Sequence, residues 1–457
     1  MTAEYATILV KGECLHGLHT TTPSASTTVG GHHAQWTIEW VHPRRRRTSL
    51  EPLPLLLGRA AEGGGLLEGS ELSRHHAQLV QQGPIFVIED LRSRNGTHVE
   101  GMKVDRGPLG DGSVIRIGEW VGVIVAWRED PKEWLFGDLG VGIWGGPHLA
   151  QQMEIARRAA PSELTLVVEG ETGTGKERAA CAIHEWSGRQ GPFVAINCAA
   201  LPASLAEAEL FGYRRGAFTG ADRASPGHFR SADRGTLLLD EFIELPLEMQ
   251  AKLLRTIEAR EVTPLGESRP VSIDVRVIVA AQKPLTEAVA TQRLRPDLFA
   301  RLDGLTVRLP PLRQRREDIA GLFTHFLDGI SGGRPPQVHA RLIERLCLYA
   351  WPFNVRELNQ LARKLLLLHG HEPVLQCSHL PERFSDEKER KQITLPAGES
   401  ENRDEQDLRA LLEALPEVEN NLALASAAVG ISRQRAYRLI NRAPGVSLQK
   451  LRKGKPG

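Results

Sequence analysis

Cysteine is scarce and scattered. The 457 residues contain five cysteines, Cys14, Cys181, Cys198, Cys347 and Cys377, and no CxxC pair. That excludes a disulfide framework and a zinc site of the usual spacing, and it fits a reducing compartment. Long apolar runs are missing too: none approaches the roughly 18 residues needed to span a bilayer. The first residues include Glu4, Lys11 and Glu13 with no long apolar core, so they do not read as a secretory signal. A cytoplasmic protein with no membrane partner is expected. Neither charge dominates: Lys+Arg 57 against Asp+Glu 56 leave a formal net charge of +1, so any surface for nucleic acid must be local. Aromatic residues make up 5% of the chain, but a hydrophobic content of 41% is enough to build real cores. The length suits roughly two to four domains.

Composition shifts divide the chain. Residues 1–33 are rich in Thr, Ser, Gly and His, and a mobile N-terminal segment is expected there. From 34 to 128, short apolar runs (Trp36–Val41, Ile85–Ile88, Val121–Trp127) are separated by Gly, Pro, Asn and Asp, the spacing of an all-β sandwich. Residues 129–141 read as a linker. From 142 to 310, buried-type strands "LTLVVEG" and "VRVIVAA" alternate with helical stretches such as Met249–Ala259, the signature of an α/β domain with a parallel sheet. Residues 311–384 follow as a helical unit, read as helical throughout from Arg316 to Leu368. Residues 385–403, "SDEKERKQITLPAGESENR", are charged and nearly free of core-formers, a second linker. Residues 404–457 are helical and basic. The fold class is multidomain: an all-β sandwich, an α/β unit with a helical lid, and an all-α end.

The central unit carries nucleotide chemistry. The strand "LTLVVEG" runs into Gly170, Glu171, Thr172, Gly173, Thr174, Gly175 and Lys176, and a helix follows. The glycines let backbone N–H groups converge on phosphate oxygens, and the helix N-terminus adds its positive end. Lys176 is expected to reach the β and γ phosphates. Glu177 stands where the general pattern has a Ser or Thr metal ligand, so the metal depends on other groups. "GTLLLDE" supplies them at the end of a buried strand: Asp240 to hold Mg²⁺ and Glu241 to polarise the attacking water. ATP and Mg²⁺ are the expected cofactors. Downstream of the phosphate turn, "RRGAFTGADR" contains Gly216, Ala217, Phe218, Thr219, Gly220 and Ala221. It is too short and glycine-rich for a helix or central strand, and it reads as a loop tip presenting Phe218.

In chain order, the phosphate turn, "ELFGYRRGAFTGA", "GTLLLDE", "PPLRQRREDI" and "WPFNVRELN" resemble the AAA+ domain of bacterial enhancer-binding proteins. Those are the ATPases that activate sigma-54 RNA polymerase, and the resemblance spans residues 142–380. Glu177 after the lysine is usual in that family. The family's GAFTGA loop moves with the nucleotide state and touches the sigma factor, which makes Gly216–Ala221 the implied contact. Asn197 in "AINCAAL" matches the Asn that restrains the catalytic Glu; the alternative is a structural Asn capping a turn. Arg295 and Arg301 match a pair that reaches into the neighbouring subunit's site, where arginines stabilise charge on the transferring phosphoryl group. Arg356 matches the lid arginine that senses the γ-phosphate. Gln282 stands where the family usually has Asn, one methylene shorter, so the water-positioning contact is altered. Ile243 and Phe353 replace common glycines. A homo-oligomer, a ring hexamer with an inactive dimer, is implied.

The β segment contains Gly58-Arg59, Ser73-Arg74-His75-His76-Ala77, Ser93-Arg94-Asn95-Gly96-Thr97 and Leu109-Gly110-Asp111-Gly112. This set resembles the forkhead-associated (FHA) domain over residues 35–127. A phosphate of charge about −1.5 to −2 calls for Arg and hydroxyl donors on loops at one end of a sandwich. Arg59, Ser73 and Arg74 supply them, Asn95 is implied to hold the peptide backbone, and His76 to buttress the loops. Upstream, "HPRRRRTSL" reads as a solvated hairpin loop, in which Thr48 or Ser49 after four arginines also fits a basophilic kinase site. Near the end of the chain, "NNLALASAAVGISRQRAYRLINR" resembles a Fis-type helix-turn-helix. Gly430 makes the turn, Ser432 caps the second helix, and Arg433, Gln434, Arg435, Arg438 and Arg442 form a basic face for the major groove. The combined resemblance implies a sigma-54-dependent activator. It would bind enhancer DNA, hydrolyse ATP to remodel the sigma-54 RNA polymerase closed complex, and read Ser/Thr phosphorylation of a partner or by a kinase through its FHA domain. The alternatives are a DNA-bound repressor and a phosphothreonine-dependent scaffold with a vestigial ATPase.

Overall fold

The computed structural model describes residues 35–83, 85–127, 136–202, 204–219, 221–384, 409–411, 414 and 429. The expectations for residues 1–33, for the linker 385–403 and for the basic face Arg433, Gln434, Arg435, Arg438 and Arg442 lie outside the described residues, as does Gly220. The chain divides into two units, 1–380 and 381–457. In the second, a short 3₁₀ turn covers Glu382–Phe384.

The first unit opens with ten strands. They are β1 (Gln35–His42), β2 (Arg46–Ser49), β3 (Leu55–Leu57), β4 (Ala77–Gln82), β5 (Ile85–Asp90), β6 (Thr97–Val99), β7 (Met102–Val104), β8 (Arg106–Leu109), β9 (Val114–Ile117) and β10 (Trp120–Trp127). One sheet has the order β2-β1-β10-β9-β6-β7 and the other β3-β4-β5-β8. Their inner faces share a core that includes Ile38, Trp40, Leu57, Leu79, Ile88, Ile117, Trp120 and Ile124. Strand β10 lacks the alternation of a half-solvated strand. Ile124 faces the sandwich core, while Val121, Val123 and Val125, on the opposite face by alternation, are also buried. The cause is a second layer: lid helices pack on β1, β9 and β10, so this antiparallel sheet is covered on both sides. Gly122 lets β1 approach, since a Cβ there would lie 2.6 Å from the Ile38 side chain.

A small ribbon, β11 (Gly137–Asp138) and β12 (Trp144–Gly145), leads into α1 (Pro147–Ala159). The second half of the segment read as a linker is thus built into the fold. The α/β part then runs β13 (Leu166–Glu169), α2 (Lys176–Ser187), β14 (Phe193–Asn197), α3 (Ala206–Phe211), α4 (Gly227–Ser231), β15 (Thr236–Asp240) and α5 (Leu247–Ala259). After the ribbon β16 (Glu261–Val262) and β17 (Val271–Ser272) come β18 (Arg276–Ala281), α6 (Leu285–Ala290), α7 (Pro296–Leu302) and β19 (Leu305–Arg308). The parallel sheet has the order β14-β15-β18-β13-β19. Its central strands β13, β15 and β18 are buried on both faces, which is why Leu237, Leu238 and Leu239 can follow one another without a polar residue. The ends of β13, β15 and β18 bring Gly170, Asp240 and Gln282 to the carboxyl edge of the sheet, where open α/β folds bind ligands.

The lid contains α8 (Arg316–Ser331), α9 (Ala340–Leu348) and α10 (Asn354–His369). The expectation of continuous helix is corrected here: Gly332 and Gly333, with φ of 69° and 85°, end α8, and a short bridge pairs Gln337–Val338 with Val374–Leu375. Left-handed backbone at a helix end is where glycine is favoured.

The arginine run is also corrected. Its hairpin turn leaves Arg44 exposed, but Arg45, Arg46 and Arg47 are half-buried and bonded rather than solvated. Arg44 pairs with Glu68 at 2.9 Å, and Arg46 donates to the carbonyls of Leu66, Gly63 and Gly64. Arg47 binds Glu39 at 2.5 Å, and Arg45 lies over the Phe136 ring at 4.1 Å. Thr48 is 2% exposed and its hydroxyl accepts from Trp40 Nε1 and donates to the Gly64 carbonyl, which closes it to a kinase.

Candidate functional site

Gly175, in the left-handed region at φ 107°, is the N-cap of α2, and Lys176 is the first helical residue. The free N–H groups of that helix end therefore face the turn. Lys176 is 7% exposed, and its Nζ donates to the Gly170 carbonyl at 2.9 Å. Burial lowers its pKa; Asp240 and Glu241 oppose that, and Arg356 adds to it. Two acids and a lid arginine thus act on one buried ammonium.

Asp240 ends β15 beside Asn197 of β14. One of its oxygens accepts the Glu241 N–H at 3.0 Å. Glu241 has a left-handed backbone, φ 52°, which costs a non-glycine residue about 1–2 kcal/mol. Its carboxylate accepts a 2.6 Å bond from Gln282 Nε2. Asn197 is engaged elsewhere: its Oδ1 accepts the Ala199 N–H at 2.9 Å and caps the turn Cys198–Ala200. Cys198 lies in the same corner, and burial together with Asp240 and Glu241 pushes its thiol up to about 12, an unreactive state.

The phosphate turn is tied to the lid. Glu171 forks to Arg313 at 2.7 and 2.5 Å, and those bonds hold its carboxyl below the usual range against the effect of burial. Thr174 Oγ1 donates to the Glu171 carbonyl at 2.8 Å. The Gly173 carbonyl accepts the Val355 N–H at 3.0 Å, and a Cβ at Gly173 would lie 2.2 Å from the Phe353 carbonyl. Only glycine allows that approach. Thr172 contributes its carbonyl to Asn354 Nδ2 at 3.0 Å. Glu177, in the first turn of α2, is exposed, and so is Arg356.

The arginines of α7 stand apart. Arg295 caps that helix and pairs with Asp297 at 2.7 Å, while Arg301 is exposed in its last turn. Among the described residues neither is bonded to the phosphate turn. The glycine-rich loop closes on itself: Gly216 N–H donates to the Ala221 carbonyl at 2.9 Å and Ala221 N–H to the Phe218 carbonyl at 3.0 Å. Phe218 is 36% exposed, with its other face against Tyr213 at 5.0 Å between ring centres. Thr219 and Gly216 are exposed, and Ala217 is half-buried.

At one end of the sandwich Arg59, Arg74 and Asn95 are exposed on neighbouring loops. Arg59 N–H donates to the Ser73 carbonyl at 3.1 Å, Ser73 Oγ accepts the Arg94 N–H at 3.1 Å, and Asn95 Nδ2 donates to the Glu71 carbonyl at 2.7 Å. His76 is fully buried beneath them. Its Nδ1 accepts the Ser73 N–H at 3.2 Å, so its Nε2 must carry the proton it gives to the Gly96 carbonyl at 3.3 Å. Burial lowers its pKa against the pull of Gly96 and Asp90, which fits the neutral ring this bonding requires.

Family models match three stretches of this architecture: the Sigma-54 interaction domain over residues 143–308, the AAA+ ATPase lid domain over 313–395 and the FHA domain over 55–118. The chain carries a sigma-54 interaction domain. NtrC of Bradyrhizobium sp. (strain RP501 Parasponia), described as a DNA-binding transcriptional regulator, is 42% identical over 231 residues, 50% of this chain and 48% of that protein. The regulatory protein AtoC of Escherichia coli (strain K12) is 36% identical over 310 residues, 66% of each chain. The crystal structure of NtrX from Brucella abortus in complex with ADP is 29% identical, covers 64% of this chain and 67% of that one, and superposes with a TM-score of 0.50. The chain spans about half the length of the first curated relatives it matches.

Two features of the sigma-54 interaction domain and its lid escape a reading of motifs. Asn354 has a left-handed backbone, φ 50°, and ties three strands of chain together: its Oδ1 accepts from Leu312 N–H at 2.9 Å while its Nδ2 serves Thr172 and Glu171. An Asn at the very start of a helical run is the available signal, since Asn tolerates that backbone better than most residues. The Glu171–Arg313 fork joins residues 142 positions apart, and nothing local in the sequence announces it.

Proposed function

We propose that this chain is an ATP-hydrolysing transcriptional activator of sigma-54 RNA polymerase, bound to enhancer DNA and regulated by phosphothreonine recognition. The observation that carries the reading is the meeting of Lys176, Asp240 and Glu241 at the carboxyl edge of the sheet, in a domain that also exposes Phe218 and Thr219 of its GAFTGA sequence. The turn Gly170–Gly175 and the start of α2 bind the phosphates, and Lys176 exchanges the Gly170 carbonyl for a phosphate oxygen. Asp240 suits Mg²⁺: its carboxylate ends β15 within electrostatic reach of Lys176, and Mg²⁺ is commonly held by one or two carboxylates plus substrate phosphates and water. Bound there, the ion neutralises phosphate charge. Glu241 orients the attacking water, and Gln282 fixes the direction of that carboxylate. Arg295 and Arg301, free of their own phosphate turn, serve the neighbouring site of a ring hexamer. Arg356 reports the γ-phosphate to the lid. ATP-dependent open-complex formation tests the whole reading.

Two further outcomes follow. Arg59→Ala should weaken binding of phosphothreonine peptides by about tenfold or more, since bonds to charged groups are worth about 1.5–3 kcal/mol. Fluorescence anisotropy with phosphorylated and unphosphorylated pools checks it, and parent affinity in the variant rejects this face. Arg435→Ala or Arg438→Ala should weaken DNA binding in gel-shift titrations while leaving ATP hydrolysis unchanged. Parent affinity in both variants rejects the recognition helix.

A further inference from the structure

The cations of the sandwich fall into two groups. Arg44, Arg47, Arg106 and Arg116 pair with carboxylates, Arg46 donates to carbonyls and Arg45 lies over the Phe136 ring. Arg59, Arg74, Arg92, Arg94 and Lys103 are exposed, and among the described residues none of these five side chains has a hydrogen bond or an ion pair. The five share one end of the sandwich. Arg59 N–H donates to the Ser73 carbonyl, Ala60 N–H to the Arg74 carbonyl at 2.9 Å and Arg94 N–H to the Ser73 hydroxyl. Lys103 leans over the same loops: its Nζ lies 2.9 Å from where a Cβ at Gly96 would stand. Arg92 has a left-handed backbone, φ 55°, a conformation that costs a long side chain energy and that clusters at binding sites.

The acids of these loops are committed elsewhere. Asp90 accepts from the Ser93 N–H at 2.9 Å, the Ser93 hydroxyl at 2.6 Å and the Thr97 hydroxyl at 2.7 Å. Those bonds fix the loop that carries Arg92 and Arg94 without pairing with either. Glu71 acts on Glu119 and pairs with none of the five cations. A phosphate of charge about −1.5 to −2 is balanced by two arginines, Arg59 and Arg74. Arg92, Arg94 and Lys103 are then left over, around the loop that presents Asn95 to a peptide backbone. Free cations beside a bound peptide favour a peptide that brings further negative charge.

We propose that the sandwich selects an acidic phosphopeptide: a phosphothreonine whose neighbours carry further anionic groups, carboxylates or a second phosphate, held by Arg92, Arg94 and Lys103. The inference rests on the phosphothreonine reading above. Four peptides of one length test it by fluorescence anisotropy with the full chain. One has phosphothreonine among neutral residues, one has it among aspartates and glutamates, one carries a second phosphothreonine, and one is acidic but unphosphorylated. The acidic and the doubly phosphorylated peptides should bind on the order of tenfold more tightly than the neutral phosphopeptide, as expected of three exposed charge contacts of modest worth each. The tighter of the two names the source of the charge, and raising the salt should shrink the preference. The combined variant Arg92→Gln, Arg94→Gln and Lys103→Gln should lose the preference while it binds the neutral phosphopeptide within about twofold of the parent chain. Its three side chains are exposed, so it should fold, which a thermal melt checks. A neutral phosphopeptide bound as tightly as the charged ones overturns the selection. So does a preference that survives in the variant, or an unphosphorylated acidic peptide that binds as well as its phosphorylated counterpart. If the parent chain binds no phosphopeptide at all, the phosphothreonine reading falls and the selection with it.

Discussion

Glu241→Ala is expected to bind ATP about as the parent chain does and to hydrolyse it at least about 100-fold more slowly, the low end of what a positioned acid–base group contributes. Glu241 is placed by a left-handed backbone and by the Gln282 amide at 2.6 Å, an arrangement that orients a carboxylate without contacting the phosphate turn. Its removal should therefore act on turnover and not on binding. Lys176→Ala should lose nucleotide binding, and turnover with it. Its Nζ sits within the turn, bonded to Gly170, and without it the phosphates lose the buried ammonium at this end of α2. Nucleotide titration and phosphate release on the same preparations separate the two. Parent-rate hydrolysis by Glu241→Ala would sink the catalytic assignment.

Thr219→Ala should uncouple hydrolysis from its output. The loop is held by its own backbone bonds, Gly216 to Ala221 and Ala221 to Phe218, so truncating an exposed side chain on it should shift stability by no more than about 0.5 kcal/mol. ATP turnover should stay near the parent rate while open-complex formation disappears. Phe218→Ala should lose the same output, with a slightly larger stability cost. Its ring rests on Tyr213, and an aromatic pair is worth about 0.5–1.5 kcal/mol beyond its burial. Full activation by both variants would make Phe218 an ordinary surface residue.

The parts legible in the sequence are those encoded over a few consecutive residues. The turn before Lys176 has its glycines because φ of 79° at Gly173 and 107° at Gly175 favours them. The three leucines before Asp240 announce a strand buried on both faces. The Ser73 and Asn95 loops each carry their own donors. What was not legible depends on distant partners. The four arginines after Pro43 read as solvated charge because their acceptors, Glu39 apart, are backbone carbonyls and a glutamate in the 63–68 segment and an aromatic ring at 136. Val121–Trp127 read only as one apolar run of a sandwich, yet Val121, Val123 and Val125 are buried on the strand's other face, where lid helices pack. The bonds of Asn197 and Gln282 were left open, and geometry alone assigns them: one side chain turns back to cap Ala199, and the longer one reaches Glu241.

The most direct measurement is open-complex formation on a sigma-54 promoter. The full chain is added to sigma-54 RNA polymerase in solution, at concentrations high enough to need no specific enhancer, with ATP, with a non-hydrolysable analogue or with neither. Open complexes that form only with ATP and the parent chain, and not with Glu241→Ala or Thr219→Ala, are the predicted result. Brisk phosphate release by the parent chain with no open complexes at any protein concentration would contradict the account.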